Sequence, residues 1–195
     1  MCLIVDSNLK GIQIGHTGFK VAPYIRCSGK VYCPYTVEPR SVHWPTVDDI
    51  RSKQYTDIVI ALGINHCKLR DTEQPWVGSA NLLCDLFMQY ISELPGVRLY
   101  CLAVPPSLSR YTNENVIIFN SIVKSRLVRT SVVMVSIPSR LYGTDGLLNH
   151  EYARESEMGR GFPDHKKLHL NAMGVAILTH CICRKVRTVS GLRLR

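Results

Sequence analysis

The chain has 195 residues, of which 46% are hydrophobic and 20% are charged. This length and composition are those of one globular domain with a sizeable core, and they exclude a disordered tail, a coiled coil and a collagen-like fibre. The 24 Lys and Arg residues outnumber the 15 Asp and Glu residues, and the formal net charge of +9 favours association with polyanions.

The predicted elements alternate between strands and helices along the chain. Residues 2–5 form a short apolar strand, and the Gly-, Pro- and Tyr-rich stretch at 12–45 is expected to hold loops and a second strand. The run at 57–63 is rich in β-branched residues and stops at a glycine, which is typical of a strand. A helix with Ser79 as its N-cap follows, since apolar residues recur at helical spacing up to Leu94, before Pro95 and Gly96.

The second half of the chain repeats this alternation. Residues 97–104 and 131–137 are predicted strands, and residues 113–129 between them are a predicted helix. A long polar stretch at 138–167 precedes a last helix that starts near Asn171. Apolar strands alternating with helices predict an α/β fold, with a parallel sheet covered on both faces. We expect a single domain over 1–186 and a basic C-terminal tail over 187–195, which is either a solvated tail or a polyanion contact.

Targeting and cysteine patterns favour an intracellular, cytoplasmic protein. No apolar run reaches the roughly 18–20 residues of a membrane span, and no basic segment precedes the short apolar N-terminus, so a secretory signal is not supported. If the chain is excised from a longer polyprotein, the missing signal does not indicate its location. The eight cysteines are scattered and lie mostly in apolar segments, which indicates buried free thiols rather than disulfides. Neither a metal site nor a cofactor motif is predicted, because Cys181 and Cys183 lack a second pair of ligands at metal-binding spacing.

Three polar residues fall where ligands bind in open parallel sheets, just beyond the carboxyl ends of the strands. Ser7 follows the first strand, Asn65 follows the strand at 57–63, and His169 precedes the last helix. A serine hydroxyl can attack an acyl carbon once a base removes its proton, and an imidazole is a natural base because it titrates near neutral pH. An asparagine amide can donate to the resulting oxyanion. Each residue alone is explained by turn or capping chemistry, so the prediction depends on their combination.

The segments that carry these residues resemble the SGNH (GDSL-type) hydrolase family. VDSNLKG at 5–11 resembles its first block, GINH at 63–66 its third, and HLN at 169–171 with Gly174 its fifth. The resemblance implies a three-layer α/β/α sandwich with a flavodoxin-like sheet. It further implies hydrolysis of a carboxylic (acetyl or short to medium acyl) ester through an acyl-enzyme. In that family the oxyanion hole is formed by groups that correspond to Ser7, Gly29 and Asn65.

The chain departs from the family pattern at three positions. Val5 stands in place of a glycine and His66 in place of an aspartate. The triad aspartate usually stands three residues before the histidine, where this chain has Lys166. Asp164, five residues before His169, is the remaining candidate to orient the ring, and a serine–histidine dyad is the alternative.

A second hypothesis is a weak or inactive SGNH-fold module that binds nucleic acid or anionic lipid through a basic surface. The residues expected to form that surface are Arg184, Lys185, Arg187, Arg193 and Arg195. Domains resembling this one occur beside RNA-binding parts in some retrotransposon and viral polyproteins. The basic composition and the free thiols are compatible with such an origin.

Overall fold

A parallel sheet organises the molecule in the computed structural model, which describes residues 1–6, 14–15, 18–19, 30–32, 45–68, 75–159, 161–163 and 167–191. The strands are β1 (Cys2–Val5), β2 (Ile14–Gly15), β3 (Gly18–Phe19), β4 (Lys30–Tyr32), β5 (Asp57–Ala61), β6 (Arg98–Leu102) and β7 (Val133–Val135). Five of them form the main sheet in the order β4-β1-β5-β6-β7, and all four pairings are parallel. This order is that of flavodoxin-like sheets, which confirms the predicted α/β fold class.

The helices flank this sheet. They are α1 (Val47–Ser52), α2 (Ile64–Cys67), α3 (Pro75–Glu93), α4 (Arg110–Leu127) and α5 (Ala172–Ser190), with short 3-10 helices at Ser139–Leu141, His150–Tyr152 and Glu155–Glu157. Among the described residues, no helix is both long enough and apolar enough to cross a membrane.

Several helix boundaries differ from the sequence prediction. Helix α4 begins at Arg110, three residues before its predicted start, because the Ser109 side chain caps it by accepting a hydrogen bond from the Thr112 amide. Helix α3 begins at Pro75, so Ser79 lies inside the helix and its prediction as the N-cap is wrong. The reason is that Pro75 is tolerated in a first helical turn, where its missing N–H costs nothing. Helix α5 starts after its N-cap Asn171, as predicted, and continues to Ser190, so residues 187–190 of the expected tail are helical. It ends at Gly191, whose φ of 68° is the left-handed conformation that terminates helices.

The two faces of the sheet bury separate clusters because successive strand residues point to opposite sides. Ile4 and Ile60 pack with Phe87 of α3 and Phe119 of α4 on one face. The other face packs against α5 and includes the following buried residues: Leu3, Val5, Val59, Tyr100, Leu102, Leu178 and Ile182. The layers are therefore helix, sheet and helix, as the three-layer prediction requires.

The described cysteines are free thiols. None of the six takes part in a disulfide, and all except Cys181 are buried. Burial raises the pKa of Cys67 and of Cys101 above the usual range of a thiol, so both remain neutral and unreactive. The prediction of buried free thiols is thus confirmed for most of the described cysteines, and Cys27 and Cys33 lie outside the described residues.

Candidate active site

The carboxyl end of β1 is joined to the start of α2 by Asp6. The Asp6 amide donates to the Ala61 carbonyl over 3.1 Å, which extends the β1–β5 pairing by one residue. The Asp6 side chain is buried, and its Oδ2 accepts a hydrogen bond of 3.3 Å from the Ile64 amide. A carboxylate at this position compensates the unpaired amide and partial positive charge of a helix start. The residue before Ser7 is therefore held against the helix that carries Asn65.

Gly63 allows the chain to turn directly from β5 into α2. Its φ of 138° lies in a region that side-chain-bearing residues rarely adopt. A Cβ atom here would stand 2.6 Å from Val104 Cγ2 and 2.8 Å from Phe119 Cε1. Conformation and space both require glycine, which is the physical basis of the glycine in the GINH segment.

Helix α2 is held at both ends, and this fixes the half-buried Asn65. Asn115 of α4 donates its Nδ2 to the Cys67 carbonyl over 2.8 Å. His66 Nδ1 lies 2.8 Å from the hydroxyl of Ser79 in α3, so the histidine that replaces the family aspartate links two helices. The Asn65 Oδ1 accepts a 3.4 Å hydrogen bond from Lys68 Nζ, so its amide nitrogen is the end of the side chain that can donate to an oxyanion.

The loop after β6 connects this region to the segment that carries His169. Asn120 of α4 holds the loop through two hydrogen bonds to Val104, one accepted from its amide (2.8 Å) and one donated to its carbonyl (3.0 Å). Further along, the Ser107 hydroxyl and the Leu108 amide both donate to the Lys167 carbonyl, over 3.0 and 3.2 Å. His169 therefore follows a segment anchored beside the carboxyl end of the sheet.

A small recess, here called the edge recess, opens at this end of the sheet. It is lined by Asp6, Ala61, Leu62, Leu102, Ala103, Val104, Pro105 and Leu178. These residues follow or end β1, β5 and β6, except Leu178, which belongs to α5. The lining is apolar apart from the Asp6 carboxylate.

His169 lies between the two core clusters. Its neighbours Leu168 and Leu170 are buried in opposite clusters, on the two sides of the sheet. The His169 side chain keeps 23% of its surface exposed, and its Nδ1 is 2.5 Å from Glu157 Oε1. The second oxygen of Glu157 accepts hydrogen bonds from the Leu168 amide (2.8 Å) and the His169 amide (2.9 Å).

Glu157, the partner of the His169 ring, is a site residue that the sequence analysis did not predict. It stands twelve residues before His169 in the polar stretch at 138–167, outside any block spacing of the family. The one available signal was the presence of an acidic residue in that stretch, which does not separate Glu157 from its neighbours Glu151 and Glu155. The structure separates them, because the Glu157 side chain is only 4% exposed and Glu151 and Glu155 are exposed.

Backbone pairing brings the segment containing Glu157 to His169. The Arg154 amide donates to the His169 carbonyl over 3.0 Å, and the Asn171 amide donates to the Tyr152 carbonyl over 2.8 Å. Gly174 allows this approach, since a Cβ there would stand 2.9 Å from the Tyr152 carbonyl oxygen. The Asn171 side chain adds a 2.7 Å hydrogen bond to the Glu151 carbonyl.

Comparisons with solved structures identify the fold. No protein-family model matches the sequence, and no curated protein matches it significantly. A GDSL-like lipase from Bacteroides thetaiotaomicron superposes with a TM-score of 0.66 at 13% identity, over 96% of this chain and 87% of that chain. The chain has the SGNH hydrolase fold. The aryl esterase of M. smegmatis (TM-score 0.58, 13% identity, 96% and 98% coverage) and a carbohydrate acetylesterase from Sinorhizobium meliloti (TM-score 0.56, 15% identity, 96% and 99% coverage) agree with this.

The residues predicted for an SGNH site fall into two groups. Asn65 and His169 are described, and each is fixed by neighbours at or beside the carboxyl end of the sheet. Ser7, Gly29 and Asp164 lie outside the described residues, as do Arg193 and Arg195 of the predicted basic surface. Within the described part of the chain, no group of three or more His, Cys, Asp or Glu residues is arranged to hold a metal ion.

Proposed function

We propose that this SGNH-fold protein is a serine hydrolase of carboxylic esters, with Ser7 as nucleophile and His169 as general base and acid. The observation that carries the proposal is the His169 ring, held by the buried carboxylate of Glu157 in a segment that is hydrogen-bonded to the loop after β6. That loop begins at the same carboxyl edge of the sheet as Asp6, the residue before Ser7. A histidine hydrogen-bonded to a carboxylate on one nitrogen and facing a serine with the other is the arrangement of serine hydrolases.

In the proposed reaction His169 Nε2 removes the Ser7 hydroxyl proton as Oγ forms a bond with the acyl carbon. The tetrahedral oxyanion is stabilised by the backbone N–H groups of Ser7 and Gly29 and by the Asn65 amide. The C–O bond to the alcohol then breaks, and the alcohol leaves with the proton from His169. Water repeats the sequence on the acyl-enzyme, which releases the carboxylic acid and restores Ser7.

The test is Ser7→Ala, assayed with p-nitrophenyl acetate. We expect the rate to fall by on the order of 10³-fold or more, because removing the nucleophile of such a site has effects of at least this size. Ser139→Ala, at an exposed serine far along the chain, is the matched control and should retain wild-type turnover. A fluorophosphonate should label wild-type protein and leave Ser7→Ala unlabelled, and full turnover by a folded Ser7→Ala variant would refute the proposal.

We further propose an acetyl or short to medium acyl group as the acid part of the substrate. The described lining of the edge recess beside Asp6 is apolar apart from that carboxylate, which supports an uncharged acyl group as the acid part. For the proposed acyl group, turnover of p-nitrophenyl esters should decrease from acetate through butyrate to laurate. Faster turnover of laurate than of acetate would exclude this assignment.

A cluster of cations on α5 and on the 3-10 helix Ser139–Leu141 favours a second function, the binding of a polyanion. Burial raises the pKa of the Cys181 thiol, while the charges of Arg184, Lys185 and Arg140 act to lower it, so all three cations lie near this residue of α5. All three are exposed, and α5 contains no acidic residue. The apolar side of α5 packs against the sheet and is not available to insert into a bilayer, so the charge favours a nucleic acid over a membrane.

The variant Arg140→Gln/Arg184→Gln/Lys185→Gln tests this second function. Each phosphate contact contributes about 0.7 to the slope of log K against log salt for single strands, so the variant should lower the slope by about 2. A control with the same charge change is Arg110→Gln/Lys124→Gln/Arg129→Gln, at exposed positions on and after α4. An equal decrease of the salt slope in both triple variants would contradict the assignment. Binding to anionic vesicles in preference to RNA would also contradict it.

A further inference from the structure

We propose that Glu157 is the positioning residue of the site: its carboxylate keeps a proton on His169 Nδ1 and leaves Nε2 as the base toward Ser7. The inference rests on the proposed ester hydrolysis. It assigns to Glu157 the role for which the sequence offered Asp164.

The Glu157 carboxylate accepts three hydrogen bonds from the segment at His169. Oε1 meets the Nδ1 atom, and Oε2 accepts from two consecutive amides, those of Leu168 and His169. A buried carboxylate is stable only when hydrogen bonds and charges replace water, and these three donors supply that replacement. Because an ionised carboxylate only accepts hydrogen bonds, its partner Nδ1 must be the donor. The neutral ring then has its lone pair on Nε2.

The local backbone explains why a glutamate at this position can reach the ring. The 3-10 helix Glu155–Glu157 follows directly on the pairing of Arg154 with His169, so residue 157 starts close to the imidazole. Arg154 Nη1 lies 3.9 Å from Glu157 Oε1 and contributes a cation on the solvent side. Lys166, at the position where the family has its aspartate, carries an ammonium that donates and cannot accept from Nδ1.

The variant Glu157→Gln separates two roles of Glu157. A purely structural role anchors the segment, whereas a positioning role also sets which nitrogen of His169 carries the proton. In Glu157→Gln the amide oxygen can still accept from the two backbone amides, so the segment remains anchored. The amide nitrogen then faces Nδ1 as a donor, which drives the ring proton to Nε2. An imidazole protonated at Nε2 cannot accept the serine proton, and the analogous change in serine proteases lowers kcat by about 10⁴-fold.

The experiment measures the His169 tautomer by ¹⁵N NMR of the full chain labelled at histidine, together with kcat. We expect the Nδ1–H form in wild type, the Nε2–H form in Glu157→Gln, and a loss of kcat on the order of 10⁴-fold. Glu155→Gln, in the same 3-10 helix and exposed, is the matched control and should resemble wild type. Glu157→Asp keeps the carboxylate and should retain more of the Nδ1–H form and of the activity than Glu157→Gln. This variant also keeps the test valid if Glu157→Gln folds poorly, since a folded Glu157→Asp variant without the Nδ1–H form would contradict the proposal.

The outcomes separate this inference from the proposed function. If the tautomer changes in Glu157→Gln but wild type hydrolyses no ester, Glu157 is confirmed as the residue that orients the ring and the hydrolase proposal fails. If Glu157→Gln retains the Nδ1–H tautomer and turnover, the inference is overturned. A tautomer change and loss of kcat in Asp164→Asn, with neither in Glu157→Gln, would also overturn it and assign the role to Asp164.

Discussion

Gly63→Ala should be among the most damaging small substitutions in this protein, for reasons of conformation and of space. Holding a non-glycine residue at an unfavourable φ such as 138° costs on the order of 1–3 kcal/mol. The added Cβ would lie 2.6 Å from Val104 and 2.8 Å from Phe119, and such overpacking costs about 1–3 kcal/mol. The two effects together predict a loss of about 2–6 kcal/mol, a large share of the roughly 5–15 kcal/mol that stabilises a domain.

The loss can be measured by urea unfolding and divided between its two causes. Gly78→Ala is the matched control, because the added Cβ in α3 would meet no described atom within 4 Å outside its own helix backbone, and it should stabilise by about 0.5–1 kcal/mol. Phe119→Leu removes the ring atoms that meet the new methyl. The double variant should therefore be less destabilised than the sum of the two single variants.

The same substitution should lower the proposed esterase activity, because a displaced Gly63 moves the start of α2 and with it Asn65. A misplacement near 1 Å can cost about 10²-fold in rate. A loss of less than about 1 kcal/mol in Gly63→Ala would refute this reasoning. So would additive effects of Gly63→Ala and Phe119→Leu.

The hydrogen bonds of Asp57 and of Asn120 lead to two predictions about the free energy of unfolding. Burial raises the pKa of Asp57, but hydrogen bonds from Arg98, Thr56 and Tyr100 outweigh it and hold the pKa below the ordinary 3.8. The ionised carboxylate therefore stabilises the fold above about pH 4, and this stabilisation is lost as pH falls through the lowered value. Urea unfolding between pH 5 and 2.5 should show a weaker pH dependence in Asp57→Asn, and an unchanged dependence would contradict the assignment. Asn120→Ala leaves two Val104 backbone groups without their partner, at a cost of about 2–4 kcal/mol, whereas Ser125→Ala on the exposed side of α4 should cost under about 0.5 kcal/mol. Equal melting temperatures for these two variants would disprove the role of Asn120.

Much of the fold followed from local patterns in the sequence. Buried strands appear as apolar β-branched runs, as at Asp57–Ala61, and helices appear as apolar residues at helical spacing, as in α4 and α5. The error at Ser79 arose because capping residues also occur inside helices. Its hydroxyl contacts His66, a residue thirteen positions away, and no local pattern indicates that contact.

Asn65 and His169 could be chosen as site candidates because the ends of parallel strands define where ligands bind, and strand ends can be read from a sequence. The polar partner of His169 could not be chosen in the same way. Glu157 reaches the ring only because residues 151–154 pair with residues 169–171, and that pairing depends on Gly174 and on the packing of Leu168 and Leu170 into opposite layers. The linear order of residues determines which side chains a strand or helix presents, whereas long-range packing decides which irregular segment lies against them.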